Sequence, residues 1–484
     1  MKTIYDNVHR RYTTWPPPLV QLINTPEFQR LKRIKQLSAC HHVFPGATHT
    51  RFEHSLGVGF LAASFVRALA RNQPELAVRL DEDKDENEAG RDTEGGIEPV
   101  VLAFQLAGLC HDLGHATLSH GFDTLLATFD PPAPAHEARS VALLRHLVRA
   151  HALPLPPAVV DAACELIYPQ RDAGPTLPAW WYQIIANDHD SIDVDKFDYL
   201  LRDAHALGIG GLDVDVERFT EYARVCEVGG GACGSGGGAH GHNGSTARRL
   251  CLGYPTKLQF DVNQLFLARH RLHAQVYQHP AVRAVERMLQ DYLVCLAAPL
   301  QEDLAACATD PTRLCPWTDD VFTRPFLALL VAQGRVSQAR AGEALTLLER
   351  VERRQLYRSV AEVRIPRQLA VDATHALDAA SAVAKVDAEG AALVGAAAWA
   401  KDWYADPVVI GYPLNPLYKV RFYEVDADGR VEAAKHVPLL QSSYTFPVCS
   451  RDTVVRVYNK AVARPDEATR EAVRRAALRA LTPV

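Results

Sequence analysis

His111-Asp112-Leu113-Gly114-His115 is the stretch on which the reading of this chain turns. An imidazole beside a carboxylate offers a neutral nitrogen and an anionic oxygen, a pair suited to a divalent cation. Val100 to His111 is nearly all apolar, which predicts a buried helix carrying the pair inward. Upstream, Arg51-Phe52-Glu53-His54-Ser55-Leu56-Gly57 supplies another histidine, on a helix predicted over His54 to Leu69. Downstream, Ile192-Asp193-Val194-Asp195-Lys196-Phe197-Asp198-Tyr199 supplies another carboxylate, on a helix predicted over Asn187 to Ala204. His54, His111, Asp112 and Asp195 are therefore the candidate metal ligands. Mixed imidazole and carboxylate ligation suits Fe, Mn or Zn and does not choose among them.

The order H…HD…D resembles the HD-type metal-dependent phosphohydrolases and predicts an enzyme that breaks phosphate esters. A bound cation would acidify water and polarise phosphorus. His115 lies four residues after His111, on the same face of a helix. His120 is about half a turn out of phase on a continuous helix, so it joins the site only if the helix ends near Gly114 to Thr117. Asp123, His136 and Glu137 follow; a histidine with a carboxylate partner makes a general acid or a phosphate-charge stabiliser. Two stripes at i, i+4, i+8 spacing come next: Asp195, Tyr199 and Asp203, with Lys196 beside them, and Arg269, His273 and Tyr277. They predict a cleft wall with phosphate-binding cations and flat rings, for a sugar, a base and several phosphates.

The bulk composition is that of an ordinary globular chain: 484 residues, 48% hydrophobic and 23% charged. A net charge of −5 gives no global basic signal for nucleic acid. No apolar run is long enough to span a bilayer, and the first residues carry no signal core. Ten scattered cysteines without CxxC spacing suit reduced thiols, hence an intracellular place, cytoplasmic or nuclear. Cys226 and Cys251 flank a Gly-rich segment.

Helices are also predicted over Gln21 to Leu37, Ala138 to Leu147, Ala158 to Ile167, Trp181 to Ile185 and, as one long element, Asp261 to Leu296. Residues 81–98 are acidic and residues 229–246 are Gly-rich with His240 and His242; both read as solvated insertions. After about Pro366, β-branched runs at 407–410, 419–423 and 454–458 precede an amphipathic helix over Arg464 to Leu481. The expected fold is mainly α: a helical catalytic core over 1–365 and a smaller α+β lobe over 366–484.

Longer segments extend the match: Phe28 to Leu31, Ile34 to Leu37, Val43 to Ala47, Arg51 to Leu61, Ala107 to His120, Ile192 to Arg202, Tyr277 to His279 and Arg353 to Tyr357. With these the chain closely resembles the SAM-and-HD-domain deoxynucleoside triphosphate triphosphohydrolases, from about Ile4 to Lys460, without a SAM domain. The resemblance implies hydrolysis of a dNTP to a deoxynucleoside and triphosphate, with Mg accompanying the nucleotide. By position it implies metal ligation by His54, His111, Asp112 and Asp195, and a catalytic set of His115, His120, Asp123 and His136. Arg51, Lys196, Arg269 and Tyr199 resemble triphosphate and sugar contacts; Gln36, Leu37 and Asp203 surround the sugar; His273, Tyr277 and Gln278 lie on the base side. It also implies a dimer or tetramer with GTP and dNTP activators between subunits. Lys2, Gln29, Lys32 and Arg354 resemble one allosteric site, Arg218, Tyr222 and Lys257 the other, and Arg358 is a further allosteric candidate. Two positions depart from the family: Asn24 where it has an aspartate, and Pro280 where it has a lysine. An amide offers one acceptor and one donor group where a carboxylate accepts twice, and proline brings no charge to a phosphate. Two other readings remain: a different HD-type nucleotide phosphohydrolase, or a nucleotide-sensing or single-stranded nucleic-acid-binding protein on the same fold.

Overall fold

The computed structural model describes residues 1–76, 80, 97–129, 134–169, 174–212, 214–228, 250–365, 379–412, 415–426, 430–436 and 451–481. Both expected insertions fall almost wholly outside these ranges. The chain opens with an antiparallel hairpin, β1 (Lys2–Asp6) and β2 (Arg11–Trp15), then short helices α1 (Pro17–Ile23) and α2 (Pro26–Gln29). The single helix expected over Gln21 to Leu37 is thus broken. Pro26 pushes Thr25 into an extended backbone, and the Thr25 hydroxyl caps the new helix at Phe28 N. A 3-10 turn over Arg30–Arg33 completes the segment.

The body is built on α3 (Arg51–Asn72) and α4 (Glu98–Cys110), which cross closely. At α3's start, Thr50 N donates to Glu53 Oε2 at 3.0 Å, the back-bond of a capping box. Gly59 and Gly108 set the helix separation: a Cβ on Gly108 would come within 2.8 Å of Gly59 Cα. Helices α5 (His120–Phe129), α6 (His136–Ala150), α7 (Pro157–Ile167), α8 (Tyr182–Ile185), α9 (Val194–Leu207) and α10 (Val216–Tyr222) surround this pair. Helix α9 starts later than the sequence suggests, because Ser191 has φ 64° and Asp193 is extended, its side chain capping Lys196 N at 2.9 Å. The core of this body runs from Trp15 through the apolar faces of α3, α4, α7 and α9.

The long element expected over Asp261 to Leu296 is also divided. After β3 (Arg224–Glu227) and β4 (Leu250–Pro255), α11 (Gln259–Leu272) passes into a π-helical turn at His273–Tyr277, and α12 (Pro280–Thr309) starts afresh. Pro280 lacks the N–H the ladder needs and holds His279 extended, with φ −60° and ψ 133°. Helices α13 (Arg324–Ala332) and α14 (Gln338–Glu352) follow, and α14 packs on α12.

Beyond β5 (Arg358–Arg364) lie α15 (Ala379–Val394), α16 (Ala396–Asp402), β6 (Trp403–Ile410), β7 (Arg421–Tyr423), β8 (Lys435–His436), β9 (Asp452–Asn459) and α17 (Glu467–Leu481). Antiparallel β9 lies between β5 and β6, and α15 and α17 cover an apolar core around Val455 and Val457. Strand β7 instead pairs in parallel with β4, Tyr254 opposite Phe422, so residues beyond 366 also extend the catalytic body's sheet. Cys226 and Cys251 face each other across β3 and β4 as free thiols. Burial pushes Cys226 up to about 12 and Cys251 to about 11, so both are protonated near neutrality. No helix among the described residues is long and apolar enough to cross a membrane.

Candidate active site and metal centre

Three elements bring the candidate ligands together: α3 carries His54, the turn after α4 carries His111 and Asp112, and α9 carries Asp195. His54 Nε2 lies 3.0 Å from Asp195 Oδ1, 3.3 Å from His111 Nε2 and 3.6 Å from Asp112 Oδ2. His111 Nε2 lies 3.5 Å from Asp112 Oδ1 and 3.6 Å from Asp195 Oδ1. Ligands about 2.0–2.2 Å from a central ion stand roughly 3–3.5 Å apart; His54, His111 and Asp112 lie close enough together to share a divalent cation, and Asp195 adjoins them through both histidines. The other ring nitrogens agree: His54 Nδ1 donates to Asp198 Oδ2 at 2.8 Å, and His111 Nδ1 to Gly108 O at 2.7 Å. Both Nε2 lone pairs are thereby turned to the common point. Burial opposes charge on His54, yet hydrogen bonds to Asp195 and Asp198 raise it to about 10. The cluster attracts positive charge strongly, and a cation would replace that proton.

A second set adjoins the first through Asp112. His115 Nε2 lies 3.4 Å from Asp112 Oδ1. The His115 and His136 rings stack at 4.0 Å, and His120 stands edge-on to them at 5.2 and 5.3 Å. Helix α4 ends at Cys110, and the turns at 111–114 and 117–119 bring His120 back to the site. Asp123 Oδ2 is 3.5 Å from Nδ1 of both His120 and His136. Asp123 also accepts from Arg139, whose Nε donates to Gly114 O at 3.1 Å. Despite burial, these partners hold the Asp123 carboxyl well below its usual range. Burial and the nearby Arg51 guanidinium depress His115 well below the ordinary imidazole value, so it is neutral.

The remaining predicted groups lie on α9 and on segments that contact it or its neighbours. Arg51 is buried, bound to Asp112 and, through Nη2 at 2.7 Å, to Ser119 Oγ. Lys196 Nζ donates to Asp193 Oδ2 at 2.8 Å. Asp203 accepts from Tyr277 OH and, at 2.7 Å, from His49 Nε2. The π-helical turn carries Tyr277, whose ring lies 4.8 Å from His273. The Arg269 guanidinium sits 4.6 Å over the Tyr412 ring. Burial, with Arg269 nearby, lowers His273 to about 3. Gln36 Oε1, Gln278 Oε1, Arg269 Nε, His49 Nδ1 and His115 Nδ1 are buried without a hydrogen-bond partner. Buried polar atoms in such a state are completed by water, an ion or a bound ligand. Leu37 packs against the main core just before a 3-10 turn at Ser38–His42, and Tyr199 packs there from α9.

Sequence reasoning missed His49, Asp198 and Arg139. Asp198 carried a legible signal, lying three residues after Asp195 and four before Arg202, which it pairs with on one face of α9. His49 sits in irregular chain, where no periodicity marks it.

The groups expected at allosteric sites make hydrogen bonds and ring contacts outside the set above. Lys257 Nζ is 3.8 Å from the Tyr222 ring, and Arg218 Nη1 is 3.0 Å from Asp261 Oδ1. Lys2 begins β1, Asn24 ends α1, Gln29 Nε2 donates to Ile23 O at 2.6 Å, and Lys32 Nζ lies 4.5 Å over the Phe52 ring. Arg354 Nη1 donates to His42 O at 2.5 Å, and Arg358 opens β5. Among the described residues, no hydrogen bond or ion pair joins Arg354 or Arg358 to Lys2, Asn24, Gln29 or Lys32.

The HD domain family matches residues 51–203, the span that holds all four candidate ligands. Fold and site thus define an HD-type, metal-dependent phosphohydrolase. Deoxynucleoside triphosphate triphosphohydrolase SAMHD1 of Xenopus laevis is 30% identical, over 98% of this chain and 73% of that protein. The Bos taurus and Homo sapiens proteins of the same name are 30% and 31% identical, over 98% and 96% of this chain and 77% and 71% of theirs. The chain belongs to the SAMHD1 triphosphohydrolase family.

Proposed function

We propose that this protein hydrolyses deoxynucleoside triphosphates to the deoxynucleoside and inorganic triphosphate. The grouping of His54, His111 and Asp112, with Asp195 adjoining, beside a histidine–aspartate set, in a chain similar to triphosphohydrolases over nearly its whole length, carries this reading. When bound, a divalent cation supplies Lewis acidity at the reacting phosphoryl group. Everything else is assigned to the chain's own residues. Arg51, Lys196 and Arg269 offset triphosphate charge, and a monophosphate would not need three cations. Asp203, fixed by His49 and Tyr277, faces the sugar, and close packing there with Gln36 and Leu37 disfavours a ribose 2′-OH. His273 and Gln278 face the base.

Water attacks the α-phosphorus, the bond from phosphorus to the 5′-oxygen breaks, and that oxygen leaves with a proton. His136 is the proton donor this geometry favours, because His115 is held neutral and His136 keeps Asp123 and Glu137 beside Nδ1. The Arg218, Tyr222 and Lys257 cluster supports nucleotide regulation in a homo-oligomer. Incubating the protein with dGTP and Mg²⁺ or Mn²⁺, with and without GTP, and separating the products tests the reading. Deoxyguanosine plus triphosphate is expected; release of orthophosphate or pyrophosphate would overturn it.

A further inference from the structure

We propose that the N-terminal hairpin is part of the metal centre: His9 and Asp6 position the ligand His54 through Asp198. The inference rests on reading His54 as a metal ligand. Asp198 is fully buried, and its two oxygens accept four hydrogen bonds, two each. Oδ2 takes His54 Nδ1 at 2.8 Å and Arg202 Nε at 2.8 Å. Oδ1 takes Arg202 Nη2 at 2.9 Å and His9 Nε2 at 2.7 Å. A carboxylate has about four lone-pair sites, so this one is saturated and cannot rotate. The His54 ring is then held with Nε2 toward the other three donors.

His9 reaches Asp198 because the hairpin turn is locally fixed. Asp6 Oδ1 accepts from Val8 N at 2.8 Å and His9 N at 3.0 Å, while Arg10 takes φ 52°. Asp6 Oδ2 accepts from Arg202 Nη2 at 2.7 Å, closing a loop of contacts from hairpin to α9. The His9 side chain is 6% exposed, although Tyr5 and Tyr12 on the same hairpin are 53% and 72% exposed. An exposed element thus sends one buried imidazole to the far side of a metal ligand's partner. Groups this far out orient the ligand rather than touch the ion. His9 is accordingly a positioning residue.

The test is a Mn²⁺ titration of the metal-stripped full chain, followed by the electron paramagnetic resonance signal of the free ion. Wild type, His9→Ala, His9→Gln and His111→Ala are compared, with folding checked by circular dichroism. His9→Ala should weaken Mn²⁺ binding roughly tenfold, the lower end for an outer-shell group. His9→Gln, whose amide N–H can occupy the place of Nε2–H, should recover most of it, which a general loss of packing would not do. Wild-type affinity in His9→Ala, with binding lost in His111→Ala, overturns the positioning role and leaves the metal assignment standing. Wild-type affinity in His111→Ala overturns both. If His9→Ala does not fold, His9→Asn, polar but too short to reach Asp198, is read against His9→Gln: weaker binding supports the role and equal binding overturns it.

Discussion

Asp112 is the residue at which the two halves of the site meet. It faces the metal point through His54 and His111, touches His115, and is neutralised by Arg51. Replacing His111 and Asp112 together by alanine should reduce bound metal to background and abolish turnover; retained turnover would refute the ligand assignment. His136→Ala should lower kcat by roughly 10²–10⁴-fold while leaving metal content unchanged, as expected of a general acid. Loss of metal in that variant would make the role structural. His273 gives a pH test. Its folded pKa is depressed to about 3 from 6.5, so the unfolded chain binds the proton first as pH falls. Its stabilisation is complete above about pH 6.5 and is lost progressively as pH drops toward 3. In metal-free urea unfolding, the stability lost between pH 7 and pH 5 should be about 2 kcal/mol smaller in His273→Gln than in wild type. Equal losses would show that His273 is not buried neutral.

At the scale of elements, the site depends on helices stopping in the right places. Helix α4 must end at Cys110 for His120 to return, and Gly114 makes that turn fit against α6. A Cβ at Gly114 would lie 2.1 Å from His136 O and 2.5 Å from Ser140 N, both backbone atoms of α6. Gly114→Ala should therefore cost about 1–3 kcal/mol by overpacking, read in urea unfolding, and should lower turnover by displacing His136. Wild-type stability in that variant would contradict this packing. The same scale shows where apolar periodicity misleads. Asp261 to Leu296 keeps a helical pattern throughout, yet Pro280 divides it and the π turn before it rotates Tyr277 onto Asp203. Thr25-Pro26 divides Gln21 to Leu37 in the same way. In both places the proline was visible, but its local backbone restriction overrode the longer pattern.

For the whole molecule, the proposed metal site would link folding to activity. The candidate ligands on α3, α4's end and α9 are brought together only in the folded chain, so a bound ion would stabilise that state by mass action. Chelation should remove turnover and lower the melting temperature, and Mn²⁺ at about 100 times its Kd should restore about 2.7 kcal/mol. A melting temperature indifferent to metal would argue against a site of this kind. The proposed regulation belongs to the same scale. Asn24→Asp supplies the double acceptor that guanine's N–H groups need, and should strengthen GTP-dependent activation of dGTP hydrolysis. No change would mean that GTP does not act through this position.

The sequence alone determined the class of chemistry, the four candidate ligands and the mainly helical body, because those signals are local: adjacent residue types and helical spacing. The histidine set around His115 was legible too, subject to one condition on where a helix ends. Only the tertiary structure decided that His120 meets that condition, that His49 and Tyr277 share Asp203, and that β7 returns to the sheet begun by β4. It alone brought His9, 189 residues away in the chain, onto Asp198. Contacts of that kind are set by how elements pack, and no short-range pattern of residues encodes them.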